Sequence, residues 1–412
     1  MTVARGGAGA TVCALAFAVL FGYALARPST ESLYLTVYGS KALPSVWLAV
    51  AATAVVVVTL YNRAAARWPL GHVMIGSIIA SGAVLALLVA WHRLGVRAGS
   101  FLLYVWKDVH IVVLLEALWS FANLVFPSKT ASWAYGVFCA AGSLGGIAGN
   151  LSVGVVAHRL GTTGALGLLA PVFALQIGLV VLLARAAGHP APKERPKASL
   201  SDLRLLVESR YLGWMLAMVG LVQLVVTLVD FVYNDAIAQA YPATDARTAV
   251  IGQVYAVIDG TSLVLQLGTG VVIRAVGLRA TLIGIPALVG AVVASFVVSP
   301  RFVLMAATKV ASKAFDYSLF RAAKEMLYIP LDYAAKTRGK AMIDMLTYRV
   351  AKGGASLLLF ALVAVGATAA VLPVTLVLVV AWVGVAVIVT RRYASLPRET
   401  STSEGTGLGQ RQ

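Results

Sequence analysis

Apolar stretches follow one another along almost the whole sequence, and each has about the 20 residues that a helix needs to cross a bilayer. Of the 412 residues, 60% are hydrophobic and 12% are charged, whereas soluble domains are closer to half apolar and a quarter charged. In lipid the backbone must satisfy its own hydrogen bonds, which favours helices over open strands. The sequence therefore predicts an all-α polytopic membrane protein with twelve transmembrane helices. The predicted spans are 11–37, 42–61, 70–91, 100–126, 132–157, 163–185, 211–239, 249–275, 279–298, 302–330, 340–366 and 369–390.

One long polar stretch divides the chain. Residues 186–210 are rich in Pro and charge, and they separate an N-terminal six-helix half (1–185) from a C-terminal six-helix half (211–390). We interpret 186–210 as a cytoplasmic linker and the Ser/Gly/Thr-rich residues 391–412 as a disordered cytoplasmic tail. Two six-helix halves with polar residues near their middle are typical of a secondary transporter of the major facilitator type.

Basic residues outnumber acidic ones by 33 to 16, which gives a net charge of +17. With the N-terminus inside, more than half of the Lys and Arg lie in cytoplasmic connections, as expected for a membrane protein. This predicts that both termini are cytoplasmic and that the protein lies in a bacterial cytoplasmic membrane. The charge thus reflects topology, and we expect a lipid bilayer and a small anionic substrate as partners, with no nucleic acid.

The five His and two Cys residues are scattered, so no metal site, cofactor or enzyme activity is expected. The tenth span is the richest in charge. Lys309, Lys313, Asp316, Phe320 and Lys324 follow one another at helical spacing and form one polar face. Three basic groups on this face exceed its one acid, which favours an anionic substrate as counter-charge. A structural network of ion pairs to other helices is the alternative.

Next to this face, Arg321 and Glu325 are spaced for an i, i+4 ion pair, and Tyr317 is an aromatic that could stack a base. Arg27, by contrast, is not assigned to this polar face. We interpret it as a charged side chain at a helix end that reaches the membrane interface.

The fourth span places Glu116, Trp119 and Asn123 on one face, which predicts half of a polar solute site or, alternatively, a hydrogen-bonded helix contact. Asp230 in the seventh span and Asp259 in the eighth are candidates, with Glu116, for binding a proton or a cation; the alternative for either aspartate is an ion pair with a lysine across the cavity.

Several segments resemble the ATP/ADP translocase family of plastids and intracellular bacterial parasites. The most specific are SLFRAAKEMLYIPL at 318–331 and KTRGKAMID at 336–344, and EALWSFAN at 116–123 is also similar. The resemblance implies exchange of ATP for ADP, or of related nucleotides, by alternating access. It also implies functional roles for Glu116, Asp230 and Lys324, and adds Glu31 of the first span to the site. Where the family has a Lys after its Arg-Pro motif, this chain has Thr30.

Three functions remain open from the sequence. The first is exchange of a nucleotide or phosphorylated anion through Lys324, Lys313, Arg321 and Glu116. The second is proton-coupled transport of an unrelated small solute by a major facilitator carrier, with Glu116, Asp230 or Asp259 as the coupling residue. The third is a membrane-embedded enzyme or scaffold. The sequence leaves the oligomeric state open.

Overall fold

The computed structural model describes residues 2–125, 128–187, 208–331 and 351–396, together with 335, 339, 340, 342 and 343. Within this part of the chain the long elements are all α-helices, and a π-helical turn at Asp316–Phe320 joins α9 to α10. The helices are α1 (Thr2–Tyr38), α2 (Leu43–Ala65), α3 (Leu70–Arg93), α4 (Arg97–Val125), α5 (Ser128–Gly167), α6 (Leu169–Ala187), α7 (Arg210–Ala240), α8 (Thr244–Val298), α9 (Phe302–Phe315), α10 (Arg321–Met326), α11 (Lys352–Ala364) and α12 (Val371–Ala394).

The helices follow the predicted spans, although one of them contains two spans. The predicted eighth and ninth spans lie in α8, a helix of 55 residues that is kinked at Gly277, where φ is 82°. A residue with a side chain is disfavoured at such an angle, so glycine permits the turn between the two spans. The predicted tenth span consists of α9, the π-helical turn and α10. The kink at Gly161, with φ of 74°, interrupts α5 in a similar way.

Seven helices in the described part of the chain are long and apolar enough to cross a membrane, and α8 is the longest of them. The all-helical prediction is confirmed. Most of the predicted linker 186–210 and of the predicted tail 391–412 lies outside the described residues. At the start of that tail, α12 continues to Ala394.

Glycines allow α5 to pack closely against α1 and α8. A Cβ atom at Gly145 would lie 2.2 Å from the Phe17 carbonyl oxygen, and one at Gly149 would lie 2.5 Å from the Phe21 carbonyl oxygen. At the contact with α8, a Cβ at Gly252 would lie 2.6 Å from the Asn150 carbonyl oxygen. The glycine-rich sequence of the fifth span is therefore a helix-packing surface, as small residues commonly are in membrane proteins.

Hydrogen bonds join the two halves at one end of the bundle, which we call the closed end. The side chain of Arg247 in α8 is 3% exposed and donates to the Ser32 carbonyl oxygen at 2.8 Å and to the Thr36 hydroxyl of α1. Nearby, the Thr162 hydroxyl donates to Asp245 at 2.6 Å. These contacts hold the ends of α1, α5 and α8 together.

Candidate functional site

A cavity of about 600 Å³ lies between the two halves. Its volume is within the range of small-molecule sites, roughly 300–1,000 Å³. Helices α1 and α4 contribute to it from the N-terminal half, and α7, α9 and α10 from the C-terminal half. Among the described residues, seven basic and five acidic side chains line it, so positive charge is in excess. They are Arg27, Lys107, Lys309, Lys313, Arg321, Lys324 and Lys340, and Glu31, Asp108, Asp230, Asp316 and Glu325.

The polar face predicted for the tenth span points into this cavity and meets an acid from α7. Asp230 accepts from Lys309 Nζ at 2.6 Å and forms an ion pair with Lys313 Nζ at 3.0 Å. Asp316, on the same face as the lysines, accepts from the Gln223 amide at 3.5 Å. Two ammonium groups therefore share the Asp230 carboxylate, while Asp316 makes no described ion pair.

A second cluster lies on the N-terminal half around Lys107, whose side chain is 2% exposed. Its Nζ atom lies 2.9 Å from Asp108 and 3.4 Å from Glu31. Lys107 and Asp108 are adjacent in the chain and start from different faces of α4, but the flexible lysine stem brings its ammonium group back to the neighbouring carboxylate.

Tyr255 of α8 connects the C-terminal half to these groups. Its hydroxyl donates to both Glu31 oxygens, at 3.3 and 3.4 Å. The guanidinium of Arg27 lies over the Tyr255 ring, 3.4 Å from its centroid. Sequence reasoning missed Arg27 as a site residue by treating it as a helix-end charge. The available signal was its position, since the predicted span continues for ten residues beyond it and α1 continues to Tyr38.

The other end of the cavity, which we call the mouth, is lined by residues of α10 and its neighbours. Glu325 pairs with Lys340 at 2.5 Å, and these side chains are 44% and 36% exposed. The prediction of an ion pair between Arg321 and Glu325 was wrong, because Lys340, which is more distant in the sequence, pairs with the Glu325 carboxylate instead. Arg321, Lys324 and Tyr317 line the cavity, as predicted.

The predicted cluster on α4, which consists of Glu116, Trp119 and Asn123, lies outside the described lining of the cavity. Asn123 accepts from the Tyr135 hydroxyl at 2.5 Å, and the Trp119 ring packs edge-on against Tyr135 at 5.5 Å. In this conformation, Trp119 and Asn123 therefore form a contact between α4 and α5, the alternative that the sequence left open.

Asp259, the third predicted coupling residue, also lies outside the described lining of the cavity. Its carboxylate accepts from the Asn150 amide of α5 at 2.8 Å, and Gly146 approaches it closely. Within the described part of the chain, Asp259 has no ion pair with a basic side chain, in contrast to Asp230.

Solved structures share the fold over nearly the full chain. The nucleoside transporter NupG superposes with a TM-score of 0.65 at 13% identity, and the match covers 94% of this chain and 98% of that one. A bacterial homologue of the human lysosomal transporter Spinster, in an inward-facing and unoccupied conformation, gives a TM-score of 0.61 at 12% identity, over 95% and 99% of the chains. These similarities confirm the major facilitator-type fold.

Relatives in sequence carry a consistent name. ADP,ATP carrier protein 1 of Rickettsia prowazekii (strain Madrid E) is 26% identical over 190 residues, which is 40% of this chain and 38% of the relative. ADP,ATP carrier protein 1 of Chlamydia muridarum (strain MoPn / Nigg) is 27% identical over 252 residues, 54% and 47% respectively. The chloroplastic ADP,ATP carrier protein 1 of Arabidopsis thaliana is 28% identical over 233 residues, 50% and 37%. The alignments thus span less than half the length of these relatives.

The sequence profile of the TLC ATP/ADP transporter family matches residues 181–393. This region is more than half of the chain and contains α9 and α10, which carry four of the seven described basic side chains that line the cavity. The profile agrees with the resemblance seen in the 318–344 motifs. The chain therefore belongs to the TLC ATP/ADP transporter family.

Proposed function

We propose that this protein exchanges nucleotides, ATP for ADP or related phosphorylated anions, across a bacterial cytoplasmic membrane, with both termini in the cytoplasm. The observation that carries the proposal is the cavity between the halves, in which basic side chains outnumber acidic ones. Charges within a membrane are costly unless they are paired, so an excess of one sign favours a substrate of the opposite sign. The names of the relatives, which are ADP,ATP carriers, support a nucleotide as that substrate.

The lining residues take complementary roles in this proposal. Lys313, Arg321 and Lys324 bind phosphate oxygens, since ammonium and guanidinium groups form strong charge-assisted hydrogen bonds to them. Tyr317, beside Lys313, offers a ring on which a base can stack. Asp230 and Glu31 hold the deeper lysines in place and keep part of the charge neutralised when no substrate is bound.

In this proposal, alternating access requires the two ends of the bundle to open and close in turn. Here the closed end is held by Arg247, while the mouth is lined by the exposed pair of Glu325 and Lys340. In the opposite conformation the contacts at the closed end break and the mouth closes. Trp119, Asn123 and Glu116 belong to the proposed site in that second conformation, in which α4 and α5 have moved relative to each other.

Counterflow in proteoliposomes tests the proposal. Vesicles loaded with ADP should take up labelled ATP, and Lys324→Ala should reduce the uptake rate severalfold or more while the protein still elutes as a folded monodisperse species. Lys41→Ala is a matched control, because Lys41 is basic and exposed but lies outside the central cavity. Normal uptake by the Lys324 variant, or no nucleotide uptake by the wild-type protein, would overturn the proposal.

A second candidate function, proton-coupled uptake, is favoured by Asp259. Its described partner is an uncharged amide, whereas Asp230 is held by two lysines, so Asp259 is the better suited of the two to gain and lose a proton. An inward proton gradient would then accelerate transport by the wild-type protein, and the acceleration would disappear in Asp259→Asn. Transport that is indifferent to the gradient would remove this candidate.

A further inference from the structure

We propose that Arg27 is a phosphate-binding residue at the deep end of the cavity and that it distinguishes phosphorylated substrates from uncharged ones. The inference rests on the proposed function and adds a residue to that site. Arg27 lies on α1, whereas the other proposed phosphate ligands, Lys313, Arg321 and Lys324, lie on α9 and α10. Its guanidinium lines the same cavity.

The charge of Arg27 lacks a bound partner in this conformation. The side chain is 9% exposed, and its Nε atom has no hydrogen-bond partner among the described residues. No described acidic side chain forms a direct ion pair with it: Glu31 and Asp259 act on its charge from a distance, while Glu31 is bound to Lys107 and Tyr255 and Asp259 is bound to Asn150. A buried charge without a direct counter-ion is destabilising. A ligand that supplies the counter-charge explains why the fold carries one here.

The local geometry leaves the guanidinium available to such a ligand. Its face rests on the Tyr255 ring at 3.4 Å, and the Tyr23 ring is 5.1 Å away. Stacking of this kind orients the plane of the group and leaves its N–H edge available. That edge has the donor geometry for two phosphate oxygens at once. Stacked aromatic support with an unused donor edge is the arrangement of an anion receptor.

The ammonium group of Lys309 extends this anion-binding surface toward α9. Lys309 Nζ lies 5.3 Å from the centroid of the same Tyr255 ring. Arg27 from the N-terminal half and Lys309 from the C-terminal half therefore approach one aromatic ring. A chain of two or more phosphates can bridge from Lys313 and Lys309 to Arg27, while a nucleoside without phosphate gains nothing from these groups.

The test measures binding of ADP, pyrophosphate and adenosine to the purified full-length protein by calorimetry. Arg27→Gln should weaken binding of ADP and pyrophosphate by roughly tenfold to a hundredfold, the range for a lost hydrogen bond to a charged group. Adenosine binding should stay within about twofold. Arg27→Lys, which keeps the charge without the planar fork, should show an intermediate loss. Arg274→Gln is the matched control, since Arg274 is exposed and lies outside the cavity.

The outcomes separate this inference from the function on which it rests. If the wild-type protein binds neither ADP nor pyrophosphate, the proposed function fails and the role of Arg27 fails with it. If the wild-type protein binds them and Arg27→Gln binds equally well, only the role of Arg27 is refuted. If Arg27→Gln does not fold, Arg27→Lys decides, and unchanged ADP affinity in that variant overturns the need for a guanidinium. An equal loss for adenosine would also overturn it, because it would indicate general damage to the site.

Discussion

Replacing Asp230 by Asn should destabilise the empty protein and make it more responsive to anions. In the native protein this carboxylate neutralises Lys309 at 2.6 Å and Lys313 at 3.0 Å. The Lys309 side chain is only 1% exposed, so the substitution leaves an ammonium group buried without its partner. The amide can accept one hydrogen bond from a lysine but supplies no charge.

The magnitude follows from the burial of the three groups. Removing one member of a buried ion pair costs about 3–5 kcal/mol of unfolding free energy. Asp230 is 20% exposed to the cavity, which weakens the interaction through solvent screening. We therefore expect a loss near the lower limit, about 3 kcal/mol. Pyrophosphate should restore part of it, because an anion that binds only the folded state stabilises it in proportion to RT ln(1 + [L]/Kd).

Thermal unfolding of the detergent-solubilised protein, followed by intrinsic fluorescence, provides the assay. Asp230→Asn should unfold at a clearly lower temperature than the wild-type protein, and saturating pyrophosphate should raise its midpoint more than it raises that of the wild type. Asp235→Asn is the control, because Asp235 accepts hydrogen bonds from Ser40 and Gln239 and makes no described ion pair with a lysine. Its loss should be about 1 kcal/mol.

Two results would refute this reasoning. An unchanged midpoint in Asp230→Asn would show that cavity water already screens the lysines. An equal response of both proteins to pyrophosphate would show that the anion does not bind at these lysines. The double variant Asp230→Asn with Lys309→Met offers a further check, since removing the most buried ammonium should recover part of the lost stability.

Two further predictions concern the framework around the cavity. Arg247→Ala removes the hydrogen bonds from α8 to Ser32 and Thr36 of α1, so we expect the closed end to open more often. Hydrogen–deuterium exchange should then rise at the end of α1 and at the start of α8, and unchanged exchange there would contradict a role in closure. Gly277→Ala should cost about 1–3 kcal/mol in thermal unfolding, because φ of 82° with ψ of 158° is a backbone conformation that essentially only glycine adopts. Gly268→Ala, in a helical position with open space around it, should be neutral or slightly stabilising; equal effects of the two substitutions would refute the strain argument.

The fold was largely predictable because the bilayer imposes a length on every span. The predicted ninth span, for example, begins at 279, directly after the kink at Gly277 that ends the first part of α8. How far each helix continues outside the hydrocarbon layer of the membrane was less predictable. Helix α1 begins at Thr2, well before the predicted start at 11, since polar and small residues near a membrane surface can continue a helix that apolar residues have already nucleated.

The site was predictable only in part, because helical spacing shows which residues share a face and not which face they meet. The polar face with Lys309 and Lys313 was visible in the sequence, but its counter-ion comes from another helix, about 80 residues earlier in the chain. The face with Trp119 and Asn123 has equally regular spacing and meets Tyr135 instead of the cavity. The same pattern thus produces a cavity wall in one place and a helix contact in another.

The distribution of paired and unpaired charges bears on why such a cavity would exchange substrates. With the mouth open, water reaches the cavity and partly solvates its excess of basic side chains, which include Arg27 and the two lysines that share Asp230. Closing the mouth on an empty cavity would remove that water and leave the surplus in a low dielectric, which is costly. Closing it on a phosphate chain would enclose a neutralised set of charges instead. Under the proposed function, an anion is needed for passage in either direction, so a cavity of this composition favours exchange over one-way release.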